Sequence, residues 1–97
     1  MSGAKEAPDR LRLDKWLWAA RFFKTRSLAA DAIDGGKVKL NGHPVKPARE
    51  VKVGDTLYLT IGEAHWTVLV RAINEYRRPA PEARQLYEET GASRLAR

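Results

Sequence analysis

Cysteine is absent from these 97 residues, which excludes a disulfide framework and a thiolate metal site. The absence fits a reducing compartment, and a cytoplasmic location is the expectation. Histidine is nearly absent. His43 and His65 are the only two, both fall in predicted turns, and they do not stand at a metal-ligand spacing. No stretch approaches the roughly 18 consecutive apolar residues of a membrane span. Residues 1–8 contain no apolar run that could act as a signal peptide. Gly35-Gly36 lacks the spacing of a dinucleotide or P-loop fingerprint and follows a helical pattern, so closing a helix is role enough for it. Glu88-Glu89 is adjacent rather than facing and makes a poor acid–base pair; it reads as a solvated helix face. The sequence therefore predicts no enzyme, no cofactor and no metal.

What the chain does have is segregated positive charge. Between Arg10 and Glu50 stand ten basic residues against Asp14, Asp31, Asp34 and Glu50, so the whole net charge of +6 lies in that window. The remainder of the chain carries equal numbers of each sign. Charge concentrated in one structural unit produces a local field that attracts phosphate, whereas the same total spread evenly would do little beyond solubility.

The length suits a single domain near the lower limit for an unstapled core. Residues 1–9 read as a disordered lead-in. From Leu11 the pattern turns helical, with Leu13, Trp16, Leu17 and Ala20 on one apolar face and Asp14 at the positive end of the dipole. A second helix carries Leu28, Ala29, Ala32 and Ile33 as its stripe, is capped by Thr25 or Ser27, and closes on Gly35-Gly36. Val38 and Leu40 alternate with Lys37, Lys39 and Asn41 in a strand, and Asn41-Gly42 signals a tight turn into a short strand around Val45. Val51 and Val53 suggest another short strand. Leu57, Leu59 and Ile61, then Trp66, Val68 and Val70, form a hairpin with one buried face. Residues 74–81 are a connector, and Pro81–Glu89 is expected to be a short helix, proline first, stopped by Gly91. The expected class is α+β, a helix pair followed by a small, mostly antiparallel sheet and a C-terminal helix.

Periodicity places the cations on surfaces. Arg12 and Lys15 lie off the apolar stripe of the first helix, and Arg21, Lys24 and Arg26 gather at the junction between helices. The second helix start offers free backbone N–H groups and the hydroxyls of Thr25 and Ser27, an arrangement suited to anions. Lys37, Lys39 and Asn41 share one strand face, and all three groups are expected to merge into one patch. Trp16 belongs to the core stripe. Trp18 and one of Phe22 and Phe23 are expected to be partly exposed, with core packing preferred over base stacking.

The run RLDKWLWAARFFKTRSLAADAIDGGKVKLNG resembles the S-four-type RNA-binding domain, also called the αL motif. The resemblance rests on Arg12-Leu13-Asp14, Lys24-Thr25-Arg26-Ser27, Gly35-Gly36 and Val38-Lys39-Leu40-Asn41-Gly42. DKWLWAARFFKTR together with the later RRPAPEARQLYEET narrows it to the bacterial ribosome-associated heat-shock protein fifteen family, across about residues 10–90. The resemblance implies an RNA-binding domain over 10–73 and a connector with a helical extension over 74–97. Its implied partners are ribosomal RNA and peptidyl-tRNA on free large ribosomal subunits that still hold a stalled nascent chain. It implies that Arg12, Lys15, Arg21, Lys24, Arg26, Lys37, Lys39 and Asn41 face RNA, with Lys46 and Arg49 at the rim. Asp14 is expected to orient Arg12 or a neighbouring base.

Three other functions share parts of this evidence. A DNA-architectural protein would use the same charge, although no helix carries an Asn/Arg/Gln base-reading set. An accessory RNA-binding subunit would need a separate catalytic partner. A protein-interaction module would place function on Pro79–Arg97. Nothing suggests a dimer seam, and a monomer is expected.

Overall fold

The computed structural model describes residues 9–96, so most of the expected lead-in lies outside the described residues. Strand β1 (Arg10–Arg12) is followed by α1 (Leu13–Ala19) and α2 (Arg26–Asp34). Strands β2 (Val38–Leu40), β3 (His43–Pro44), β4 (Glu50–Lys52), β5 (Thr56–Ile61) and β6 (Ala64–Val70) come next. A short helix α3 (Ala80–Ala83) runs into a 3-10 turn at Arg84–Leu86, then β7 (Tyr87–Glu89) and α4 (Gly91–Ala96). Strands β3-β2-β5-β6-β7 form one antiparallel sheet, and β1 pairs antiparallel with β4 in a separate ribbon.

The helix pair covers one face of the sheet. Leu13, Trp16, Leu17, Ala29 and Ile33 meet Val38, Leu40, Leu57, Leu59, Val68 and Val70 in a single core. Phe22 fills its edge, with its ring centroid 4.6 Å from that of Tyr87 and 5.8 Å from that of Trp66. Trp16 is fully buried, and its indole N–H donates to the Ala72 carbonyl at 3.0 Å, so the largest core side chain leaves no polar atom unpaired.

Both helices end in Schellman motifs, on different residues. In α2 the left-handed position is Gly36 (φ 78°), where Gly36 N donates to Ile33 O and Lys37 N to Ala32 O. In α1 it is Arg21 (φ 69°), with Arg21 N donating to Trp18 O and Phe22 N to Leu17 O. A left-handed arginine costs about 1 kcal/mol or more relative to glycine. Its Nε donates to the Arg78 carbonyl at 2.7 Å, which helps hold it there.

Several boundaries differ from expectation, each for a local reason. The first helix starts at Leu13, because Arg10–Arg12 pairs with Glu50–Lys52 and only then do Leu13 N and Asp14 N find the carbonyls of Arg49 and Pro47. Asn41 (φ 52°) and Gly42 (φ 87°) make the two-residue hairpin turn, so the return strand is His43–Pro44 and stops before Val45. His43 and His65 therefore lie in strands rather than turns. Val53 is outside β4 and 57% exposed.

The largest difference is at 81–89. Helix ends at Ala83, and Tyr87–Glu89 adds a fifth strand to the sheet, placing Tyr87 opposite Val70. Core burial of Leu86 and packing of Tyr87 against Phe22 outweigh the weak helix propensity of so short a segment. Glu88 and Glu89 are thus strand residues. Gly91 begins a helix instead of stopping one; Ser93 N donates to Thr90 Oγ1, and Ser93 Oγ donates to Glu89.

Candidate nucleic-acid interface

Asp14 is the centre of the site. It sits in the first turn of α1 with its side chain only 6% exposed. Arg12 Nε donates to its Oδ1 at 3.1 Å and Nη2 to its Oδ2 at 2.9 Å, a two-point fork. Arg26, the first residue of α2, places Nη2 3.5 Å from Oδ1 of the same carboxylate. One buried anion therefore holds two guanidiniums from different elements, on side chains that remain 51% and 44% exposed. Asp14 thus pairs with Arg12, one of the two partners expected for it, and with Arg26 as well.

The surrounding backbone has local causes. Thr25 caps α2, its Oγ1 accepting from Leu28 N at 3.0 Å, while Ser27 lies inside the helix and exposed. Lys24 is exposed in the turn just before that cap. The loop bearing Lys46 and Arg49 is tied to the start of α1 by the two backbone bonds from Leu13 and Asp14, but Lys46 lines a depression with Ile33, Asp34 and Gly36 at the far end of α2 from Arg26. Arg10, Arg49, Glu50 and Lys52 line a polar cleft, with Asn41 and Asp55.

The other expected residues fall elsewhere. Lys15 is ion-paired with Glu75 at 3.7 Å, and Arg21 is anchored to Arg78 O. Lys37 and Lys39 are exposed on the sheet surface opposite the helices, since Val38 and Leu40 between and beyond them are buried beneath those helices. Asn41 commits its carboxamide internally: Oδ1 accepts from Thr56 N at 2.9 Å and Nδ2 donates to Asp55 at 3.3 Å. The tight turn is thereby pinned to the start of β5. The single patch expected from sequence is divided by the thickness of the sheet.

Asp55, just before β5, is a second buried carboxylate. Burial pushes its pKa up, but donation from Lys52 N, the Lys52 ammonium and Asn41 Nδ2 outweighs burial and holds the carboxyl below its ordinary value. Sequence reasoning missed Arg77. Its Nη1 donates to Trp18 O at 2.7 Å and Phe23 O at 3.2 Å, and its guanidinium lies 5.9 Å from the half-buried Trp18 ring. It braces the junction that carries Lys24 and Arg26. Arg78 lies over Tyr76, adding cationic surface outside the basic window. The signal for these was the arginine pair before Pro79, masked because acidic residues elsewhere in the sequence cancel it in the count.

Among the described residues no group of three or more His, Asp or Glu side chains could hold a metal ion, and no helix is long and apolar enough to cross a membrane. What the cluster offers is two pre-aimed guanidiniums, on half-exposed side chains at a helix start, suited to phosphate oxygens.

The sequence pattern described as the S4 domain matches residues 11–57, a span that includes Asp14, Arg26, Asn41 and Asp55. Heat shock protein 15 of Escherichia coli K12 is 57% identical over 90 residues, covering 92% of this chain and 68% of that protein. The RQC P-site tRNA stabilizing factor of Bacillus subtilis 168 is 37% identical over 65 residues, 67% of this chain and 76% of that protein. Among solved structures, heat shock protein 15 of Vibrio cholerae, described as trimeric, superposes with a TM-score of 0.88 at 50% identity, covering 91% of this chain and 89% of that one.

Proposed function

This chain belongs to the heat shock protein 15 family, and from that premise we propose that it is a non-catalytic, cytoplasmic protein that binds structured RNA. Its targets are ribosomal RNA and peptidyl-tRNA on free large ribosomal subunits that retain a stalled nascent chain, and its role is their rescue after heat shock. The observation that carries this is the Asp14 carboxylate holding Arg12 and Arg26 while both arginine side chains stay about half exposed. Forked donors fixed in advance suit the phosphates and 2′-hydroxyls of an A-form surface, where base edges are hidden from side chains. The name of the Bacillus relative, a factor stabilising P-site tRNA, supports the tRNA part of this reading. Residues 10–73 supply the RNA-binding unit, and 74–96 brace it through Glu75, Arg77 and Arg78.

Gradient sedimentation of lysates from heat-shocked cells tests the proposal. The protein travels with free large subunits; migration with small subunits, or retention at the top of the gradient, refutes it. Competition among duplex RNA, duplex DNA and large subunits at one salt concentration separates it from a DNA-architectural role, for which DNA would win. The Asp14 cluster is complete within one chain, and a monomer is the expected acting unit, although the Vibrio relative is described as trimeric. Sedimentation velocity that gives a trimer at working concentration overturns that part.

A further inference from the structure

The sheet surface facing away from the helices carries its own chemistry. Cross-strand register sets Lys39, Tyr58 and Thr67 in one row, and Thr60 beside His65 in the next. Lys37 joins that second row, since its carbonyl accepts from Thr60 N at 2.8 Å. Lys37, Lys39, Tyr58, Thr60, His65 and Thr67 line one shallow depression. Tyr58 is 44% exposed at its centre. Neither lysine makes an ion pair among the described residues. On the neighbouring strand β7, Glu88 stands opposite Leu69 and pairs with Arg71 at 3.3 Å. Thr60 Oγ1 and His65 Nδ1 lie 3.2 Å apart, so that edge presents polar groups.

We propose that this sheet face is a second RNA site, which takes an unpaired strand: one base stacks on Tyr58 while Lys37 and Lys39 meet the phosphates on either side. The proposal deepens the RNA-binding function above and rests on it for the class of partner. Two observations select an unpaired strand. An aromatic ring standing in a shallow, open sheet stacks a base only if that base is free of a duplex. The rest of the lining is mainly lysine and threonine with His65, and only Leu59 and the half-buried Trp66 are apolar, unlike the apolar centre of a protein interface. The helix-pair cluster differs in kind, since its donors are guanidiniums and Trp18 beside it is half-buried near Arg77. The two sites face opposite sides of a single sheet, so one molecule would hold a folded RNA on one side and a single-stranded segment on the other.

The test uses the full chain with two labelled probes, a ten-nucleotide oligouridylate and a stable RNA hairpin, read by fluorescence anisotropy. Tyr58→Ala weakens oligouridylate binding about tenfold, Tyr58→Phe restores it, and neither changes the hairpin. The Lys37→Ala, Lys39→Ala double variant also weakens oligouridylate binding, with a shallower salt slope. Arg26→Ala does the reverse, weakening the hairpin and sparing the oligouridylate. Thermal melts confirm that each variant is folded. No oligouridylate binding by the parent chain overturns the proposal, as does equal loss of both probes in Tyr58→Ala. Displacement of the oligouridylate by polyglutamate at equal charge concentration also overturns it, and points to an acidic protein as occupant. Loss of hairpin binding in the parent chain, with oligouridylate binding intact and Tyr58-dependent, sinks the structured-RNA function while leaving this site standing.

Discussion

Replacing Asp14 by asparagine separates two accounts of the basic cluster, because they predict opposite signs. If the cluster acts only as net charge, removing a carboxylate strengthens RNA binding. If it acts through aimed guanidiniums, the same change weakens it. Two charge-assisted contacts of about 2.8 Å in series across a guanidinium put a bound phosphate roughly 7 Å from the carboxylate. At that range two unit charges in water interact by about 0.6 kcal/mol, and a screening length of about 8 Å reduces this to about 0.3 kcal/mol. Against that gain stands the freedom returned to Arg12 and Arg26, about 0.5–1.5 kcal/mol for each side chain that binding must order again. Orientation wins by about 1–2 kcal/mol, so Asp14→Asn weakens binding to a structured RNA roughly five- to thirtyfold.

The assay is equilibrium binding over a series of salt concentrations, with the fold checked separately. Arg12 and Arg26 are half-exposed, so losing their pairing costs only about 1 kcal/mol of stability after solvent screening. That corresponds to a fall in Tm of about 4–8 °C for a domain of this size, and the protein stays folded at room temperature. The number of cations meeting phosphate is unchanged, so the salt slope is expected to hold while the affinity falls. Tighter binding with a steeper slope would refute the orientation argument.

Arg26→Ala removes one phosphate contact and is expected to weaken binding to structured RNA while reducing the magnitude of the salt slope by about 1; an unaltered slope would place RNA on another face. Asp55 has a folded-state pKa below its unfolded one, so its contribution to stability is complete above the ordinary carboxylate value and is lost as pH falls through the folded value. Urea unfolding midpoints should therefore drop with acid more steeply in the parent than in Asp55→Asn, and parallel curves would remove Asp55 as the cause. Arg77→Ala removes one donor from the Phe23 carbonyl and leaves the Trp18 carbonyl to Arg21 N alone, and should cost about 1 kcal/mol, measured by denaturant unfolding; a change inside about 0.3 kcal/mol would show that solvent replaces the guanidinium freely.

Elements whose signal is local were legible in the sequence. Alternation in 57–61 and 66–70, the Asn-Gly turn and the three-and-four spacing of Leu13, Trp16 and Leu17 each depend on neighbours within one element, and the structure places all of them as expected. Features set by distant partners were not. Arg10–Arg12 becomes a strand only because β4 comes alongside, and Tyr87–Glu89 leaves the helical pattern because β6 offers an open edge. Arg21 takes a conformation that its residue type disfavours, and the Arg78 carbonyl that holds it is 57 positions away. Arg77 belongs to the same class, with its carbonyl partners 59 and 54 positions away.

The basic window shows why a charge count and a binding surface are different quantities. Arg12 and Arg26 are fourteen positions apart and meet on one carboxylate, whereas Lys37 and Lys39, in the same stretch of excess charge, stand beyond the sheet. The helix period and the strand period both turn cations outward, but outward from a helix packed on a sheet and outward from the far side of that sheet are opposite directions. A sequence count adds these charges together; a phosphate, at a screening length of about 8 Å, responds mainly to those on its own side. Asp14 makes the contrast sharper, since it lowers the count and yet fixes two of the cations. The residue that subtracts from the field is the one that gives it a direction.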